Sequence, residues 1–187
     1  IISIVAGLKI EKIAKALQHD EIVRAMPNTP CQIGAGITVW TSSQSVSSSH
    51  LEFAAKIFKA MGEEIFTENE DDLDRATALS GTGPAYVYLF MEAMVDAGVH
   101  LGFSRRIAEK LVIETLRGSV NFYVQGDEKY RHLAALRNQV TSPGGTSAEA
   151  LYYLEKAGFR TAISRAVWAA YQRTLELGQD TEFQIRK

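Results

Sequence analysis

One cysteine, four prolines, four histidines and two tryptophans are all that 187 residues hold of these types, and each scarcity removes a class of protein. Cys31, standing alone, excludes an internal disulfide framework and suits a reducing compartment. His19, His50, His100 and His132 lie far apart with no ligand-like spacing, so no metal site is expected. No apolar run approaches the roughly 18 to 20 residues of a membrane span. The opening IISIVAGLKIEK also lacks the basic flank and cleavage site of a signal peptide. A soluble, cytoplasmic protein with no membrane partner is the expectation. Acids and bases are interleaved at a net charge of −2, which leaves no basic face for nucleic acid. The phosphate-cradling pattern GxGxxG is absent upstream of residue 70.

What is present changes texture once, near residue 70. Before it, β-branched runs alternate with helical spacing: IISIVA, then Ile10, Ile13, Ala14 and Leu17, then EIVRAMP, ITVWT, a helix on Leu51, Ala54, Ala55, Phe58 and Met61, and EEIFT. The serine-rich stretch 41–49 reads as a loop and helix cap. Strands alternating with helices predict an α/β sheet with crossovers, here with only three or four strands. Beyond residue 70 strand signals vanish, and amphipathic helices broken at Gly102, Gly126, residues 143–145 and Gly158 predict an all-α half. The fold class is therefore α/β followed by all-α, with domains at 1–69 and 70–187. Because its sheet starts at residue 1, the chain is expected to be the C-terminal part of a longer protein. Residues 86–102 are apolar round most of a helix, and in so small a half the expected cover is a second copy of the chain. A stripe of Ile107, Leu111, Val112, Thr115 and Leu116 is expected to be buried on the next helix, and Leu133, Leu136 and Val140 to give a short one.

Two glycine-rich turns carry the chemistry. In QVTSPGGTSAEAL, residues 139–151, Pro143, Gly144 and Gly145 cannot continue a helix, so one starts around Thr146. Thr146 and Glu149 read as a capping box, which leaves the Ser147 hydroxyl and nearby N–H groups for a carboxylate or phosphate. Most such turns are only connections. A second, LSGTGPAYVYLFMEA, sets Ser80, Gly81 and Thr82 ahead of Pro84, where a helix's first position tolerates a missing N–H.

ISIVAGL, VRAMPNTP, ALSGTGPAYVY and QVTSPGGTSAEAL followed by GFRTAISRAV, in that order and spacing, closely resemble the pyrroline-5-carboxylate reductase family. That resemblance covers essentially the whole chain. It implies reduction of 1-pyrroline-5-carboxylate to L-proline with NADPH or NADH, the last step of proline biosynthesis. The implied fold is a Rossmann domain followed by a helical domain that interlocks into a homodimer, often built up to a decamer. Laid on this sequence, it implies that Val5, Ala6 and Gly7, with Asn28 and Thr29, face the cofactor. Ser142, Gly144, Gly145, Thr146 and Ser147 correspond to the substrate loop, with Val140 against the ring and Ser80, Gly81 and Thr82 facing the pocket.

Hydride transfer to a protonated imine needs chiefly a dry, aligned encounter of two rings, so neither a carboxylate pair nor a histidine is required. Ser147 is the candidate catalytic residue, orienting the ring nitrogen and relaying a proton; relatives commonly carry Thr there. His132 is followed by Leu133 where relatives show proline, which questions how the loop is propped. Without a phosphate turn the 187 residues alone are expected to bind NAD(P)H poorly. A related imine or hydroxy-acid dehydrogenase, and a non-catalytic dimerisation module, remain open alternatives.

Overall fold

The computed structural model describes residues 1–127 and 132–180. The helical reading of residues 128–131 and 181–187 lies outside them. The chain divides into two compact units, one of Ile1–Tyr86 joined by the chain from Ser164, the other Val87–Ile163.

The first unit runs β1 (Ile2–Ser3), α1 (Ile10–Leu17), β2 (Val23–Met26), β3 (Gly36–Ser42), α2 (Ser48–Ala60), β4 (Gly62–Phe66) and α3 (Asp71–Ala76). The sheet order is β1-β2-β3-β4. β1 and β2 are parallel, as are β3 and β4, while β2 and β3 are antiparallel, which makes the sheet mixed. A 3-10 turn, Thr29–Ile33, leads from β2 towards β3. β1 is shorter than its apolar run predicts: it pairs with β2 only at Ile2 and Ser3, and the Val5 N–H turns to Ser3 Oγ at 3.4 Å. The serine-rich stretch does cap a helix: Ser47 Oγ accepts the His50 N–H at the start of α2.

β2 is buried along its whole length, so both faces of VRAM must be covered. Val23 and Ala25 join Trp40, Val46, Ala54 and Phe58 in a core beneath α2. Arg24 and Met26, one residue out of phase, face the opposite side. There Arg24 meets Asp74 of α3.

The second texture is helical, as expected. α3 passes into a π-turn, Thr77–Gly81, and then into α4 (Gly83–His100). α5 (Arg105–Gln125), α6 (Leu133–Gln139), α7 (Thr146–Lys156) and α8 (Phe159–Asp180) follow. In the second unit Val95, Ala108 and Val112 form the buried cluster, with Met91, Met94, Val99 and Leu116 against it. One expectation needs correction here. The buried stripe of α5 runs through Ala108 and Val112, whereas Ile107 and Leu111 are exposed. A β-carbon added to Gly98 would stand 2.9 Å from that of Ala108, so α4 and α5 meet closely at small residues. Of the long apolar stretch in α4 only Val95 is buried within one chain.

Candidate functional site

The turn between α6 and α7 is built by local bonds. The Thr141 hydroxyl donates to the Arg137 carbonyl at 2.6 Å, closing the end of α6. The Gly145 N–H donates to the Ser142 carbonyl at 3.0 Å. Between them Gly144 takes φ +68°, the left-handed region that a β-carbon disfavours. The expected capping box does not form. Gly145 is the N-cap of α7, and its carbonyl accepts from the N–H groups of Ala148 and Glu149, so Thr146 is already inside the helix and its hydroxyl caps nothing.

That correction enlarges the candidate site. The N–H groups of Gly144, Thr146 and Ser147, and the hydroxyls of Thr146 and Ser147, have no partner among the described residues. Unengaged donors at a helix N-terminus suit a carboxylate. Val140, which caps the end of α6, is 70% exposed. It lines a hollow of about 610 Å³ in the same unit, with Phe122, Tyr123 and Leu136 among its walls. α6 starts at Leu133, with His132 Nδ1 accepting the Ala135 N–H at 3.3 Å. Leu133 therefore fills the first helical position, where proline would be pre-organised, and α6 starts there with leucine in its place.

Ser80, Gly81 and Thr82 belong to the other unit, and their setting also departs from expectation. They do not open a helix from a loop. They lie in and just after the π-turn, where the Thr82 N–H donates to the Thr77 carbonyl at 2.8 Å. The Ser80 hydroxyl donates to the Ala76 carbonyl and that of Thr82 to the Thr77 carbonyl. Both hydroxyls thus satisfy carbonyls of their own helix. A β-carbon on Gly81 would lie 3.6 Å from Met26, which sets the turn beside the end of β2.

Val5, Ala6 and Gly7 follow β1, and Asn28 and Thr29 follow β2, so the two parallel strands bring both groups to one edge of the sheet. Strand C-terminal ends are where open α/β sheets present a ligand crevice. Val5 and Thr29 are exposed. Asn28 Oδ1 accepts the Ile37 N–H at 3.0 Å and so ties its loop to β3. Gly7 has φ +75°, and a β-carbon there would meet the Thr174 carbonyl at 2.4 Å, so its bareness answers to close packing against α8.

Sequence reasoning passed over a buried ionic cluster behind this edge. Arg24, 0% exposed, donates from Nη2 to Asp74 Oδ1 at 2.5 Å and from Nη1 to Glu70 Oε1 at 3.0 Å. Lys9 Nζ reaches Asp74 Oδ2 at 2.9 Å and Asp71 Oδ1 at 2.6 Å. Glu70 Oε1 also accepts the Ile10 N–H at the start of α1. Partial burial works to lower the Lys9 pKa, but the bonds from Asp71 and Asp74 hold it above its ordinary value; the Lys9 bond holds the Asp71 carboxyl below its own. The signal available was a single arginine inside the apolar run IVRAM.

A mixed α/β unit whose strand ends gather a glycine turn and an Asn-Thr loop, and a helical unit that includes an open glycine-capped N-terminus, place the chain in the α/β-plus-helical class. Residues 70–177 match the family model described as pyrroline-5-carboxylate reductase dimerisation. The chain belongs to the pyrroline-5-carboxylate reductase family. It is 43% identical over 179 residues to the pyrroline-5-carboxylate reductase of Synechocystis, a match covering 96% of this chain and 66% of that one. The crystal structure of Plasmodium falciparum pyrroline carboxylate reductase with NADP bound superposes with a TM-score of 0.89 at 40% identity, covering 95% and 66% of the two chains. The structure of a pyrroline-5-carboxylate reductase from Coxiella burnetii gives 0.83 at 37%, covering 94% and 64%. The chain thus spans just under two thirds of the length of the curated relatives it matches.

Proposed function

We propose that this chain forms the substrate-binding and dimer-forming part of a pyrroline-5-carboxylate reductase, reducing 1-pyrroline-5-carboxylate to L-proline with NADPH or NADH. The observation that carries the reading is the start of α7, where three N–H groups and two hydroxyls stand unengaged at a turn with no charged side chain between Val140 and Ala148. Such a mouth takes a small carboxylate, and the NADP named for the Plasmodium relative is, in its reduced form, the matching hydride donor. Residues 1–69 are assigned to the nucleotide-binding domain and 70–177, with the chain beyond, to the helical one. The protein works in the cytoplasm as a homodimer, built up to a decamer of five dimers.

Residues 5–6 and 28–29 fit the nicotinamide end of the cofactor, because they share one strand edge and stay accessible. The 187 residues include no GxGxxG, so the pyrophosphate end is not held by that pattern here. When bound, the cofactor supplies a hydride. The amides of Gly144, Thr146 and Ser147 hold the substrate carboxylate, and the Ser147 hydroxyl orients the ring nitrogen. The imine carbon gains the hydride, the C=N bond becomes C–N, and the nitrogen keeps the proton with which it arrived. No carboxylate has to titrate, since the protein's work is alignment and exclusion of water.

Two assays test this together. NADPH oxidation with 1-pyrroline-5-carboxylate is followed for the 187-residue chain and for the longest form of the gene product. In parallel, L-proline is expected to raise the unfolding temperature of the 187-residue chain, while a 3-hydroxy acid leaves it unchanged. Absence of turnover by a folded, dimeric long form, together with no protection by proline, would overturn the reading.

A further inference from the structure

We propose that Arg24 and Asp74, with Lys9 and Glu70, form a positioning device that sets three candidate segments relative to one another: residues 5–7 and 28–29 of the cofactor edge, and the substrate-side turn 80–82. The functional meaning of that edge rests on the reductase reading above; the mechanical claim does not. Glu70 and Asp74 stand one helical turn apart, so both carboxylates lie on one face of the chain entering and forming α3. They grip a base from each of two other elements: Arg24 from β2, and Lys9 from the connection between β1 and α1. Each gripped residue lies within a few positions of a candidate segment. Lys9 follows Gly7 by two residues, and Glu70 fixes the next N–H, that of Ile10. Arg24 shares its face of β2 with Met26, and Met26 leads into the 28–29 loop and lies against Gly81. Asp74 sits in the helix that runs directly into the π-turn.

Stability alone does not account for such a cluster. Arg24 is 0% and Asp74 1% exposed, and Arg24 Nε has no hydrogen-bond partner among the described residues. Removing two charges from water is costly, and well-packed apolar residues of similar volume often do as well or better. What an apolar pair cannot supply is direction. A guanidinium forked between Glu70 and Asp74 accepts few relative placements of strand and helix, whereas hydrophobic contact accepts many.

The test uses the 187-residue chain and amide hydrogen exchange, which needs neither substrate nor cofactor. The double variant Arg24→Met/Asp74→Leu removes the charges at similar volume, and Asp74→Asn keeps the shape. The double variant is expected to unfold close to the wild-type midpoint. Its exchange at residues 5–10, 26–29 and 77–82 should nevertheless accelerate about tenfold or more, with the Trp40 and Phe58 core unchanged. Asp74→Asn is expected to show the same pattern more weakly. In the form that turns over NADPH, both variants should raise KM for NADPH about tenfold with kcat within about threefold of wild type. Unchanged exchange in the three segments would sink the proposal, as would acceleration spread evenly over the unit. A double variant that fails to fold while Asp74→Asn exchanges uniformly faster would make the cluster a stability element and overturn the proposal equally. Failure of the reductase reading shows instead as absent turnover beside the localised exchange pattern.

Discussion

Ser147 occupies the second position of α7 with its amide and hydroxyl unengaged, half-buried at the mouth where a carboxylate would sit. Losing one hydrogen bond aimed at the reacting centre costs roughly 10- to 1000-fold in rate, so Ser147→Ala in the active protein is expected to fall in that range without being dead. Steady-state rates decide it, and a rate within about twofold of wild type removes Ser147 from the mechanism. Glycines at two turns separate packing from ligand approach. Gly7→Ala would drive a β-carbon to 2.4 Å from the Thr174 carbonyl at φ +75°. A loss of at least about 2 kcal/mol in denaturant unfolding is expected. At Gly144, φ +68°, nothing lies within 4 Å of an added β-carbon. Gly144→Ala should therefore lose only about 1 kcal/mol, the left-handed penalty, while weakening protection by proline. Equal losses at the two positions would contradict this assignment of roles.

At the scale of elements, the ionic cluster joins α1, β2 and α3 and gives the first unit a pH dependence of definite sign. The folded-state pKa of Lys9 is raised, so its contribution is present below the unfolded value and lost as pH rises through the folded one. The folded-state pKa of Asp71 is lowered, so its contribution is present above the unfolded value and lost as pH falls through the folded one. From this pair, stability should be level between about pH 4.5 and about pH 10 and decline on both sides; Lys9→Met should flatten the alkaline decline in urea titrations. Asp71 is largely exposed, so the acid arm is the shallower and weakens with salt. The order of strands and helices was legible in the sequence because period and punctuation are local: the 143–145 turn and the Ser47 cap sit where composition put them. The capping box was misread because Thr146 has the right chemistry one position too late, with Gly145 turning first. Arg24 and Asp74 are 50 residues apart, and only the fold brings them together. The π-turn was likewise hidden, since the sequence between Gly81 and Gly83 resembles a loop until Thr82 is seen closing a wide turn on Thr77.

Across the whole molecule, apolar surface left uncovered by one chain points to a second copy. Val87, Tyr88 and Leu89 of α4 and Phe122 of α5 are exposed, Leu89 by 68%, in a unit whose buried cluster is Val95, Ala108 and Val112. A helix as apolar as α4 does not remain in water at this exposure without a partner, and isologous pairing of identical faces is the usual solution for a single soluble chain. That is the association named in the family description matched by residues 70–177. Sedimentation equilibrium of the 187-residue chain is expected to give a dimer at micromolar concentration, with an unfolding temperature that rises with protein concentration. Leu89→Asp places a carboxylate in the middle of the exposed stretch and should weaken association about a hundredfold or more. It should leave the fluorescence of Trp40 in the first unit unchanged, because Trp40 lies in the separate core beneath α2. Ile33→Asp, at a still more exposed apolar position in the first unit, should leave association untouched. A wild-type chain that remains monomeric, or equal weakening by the two variants, would show that the α4 face is not where the copies meet.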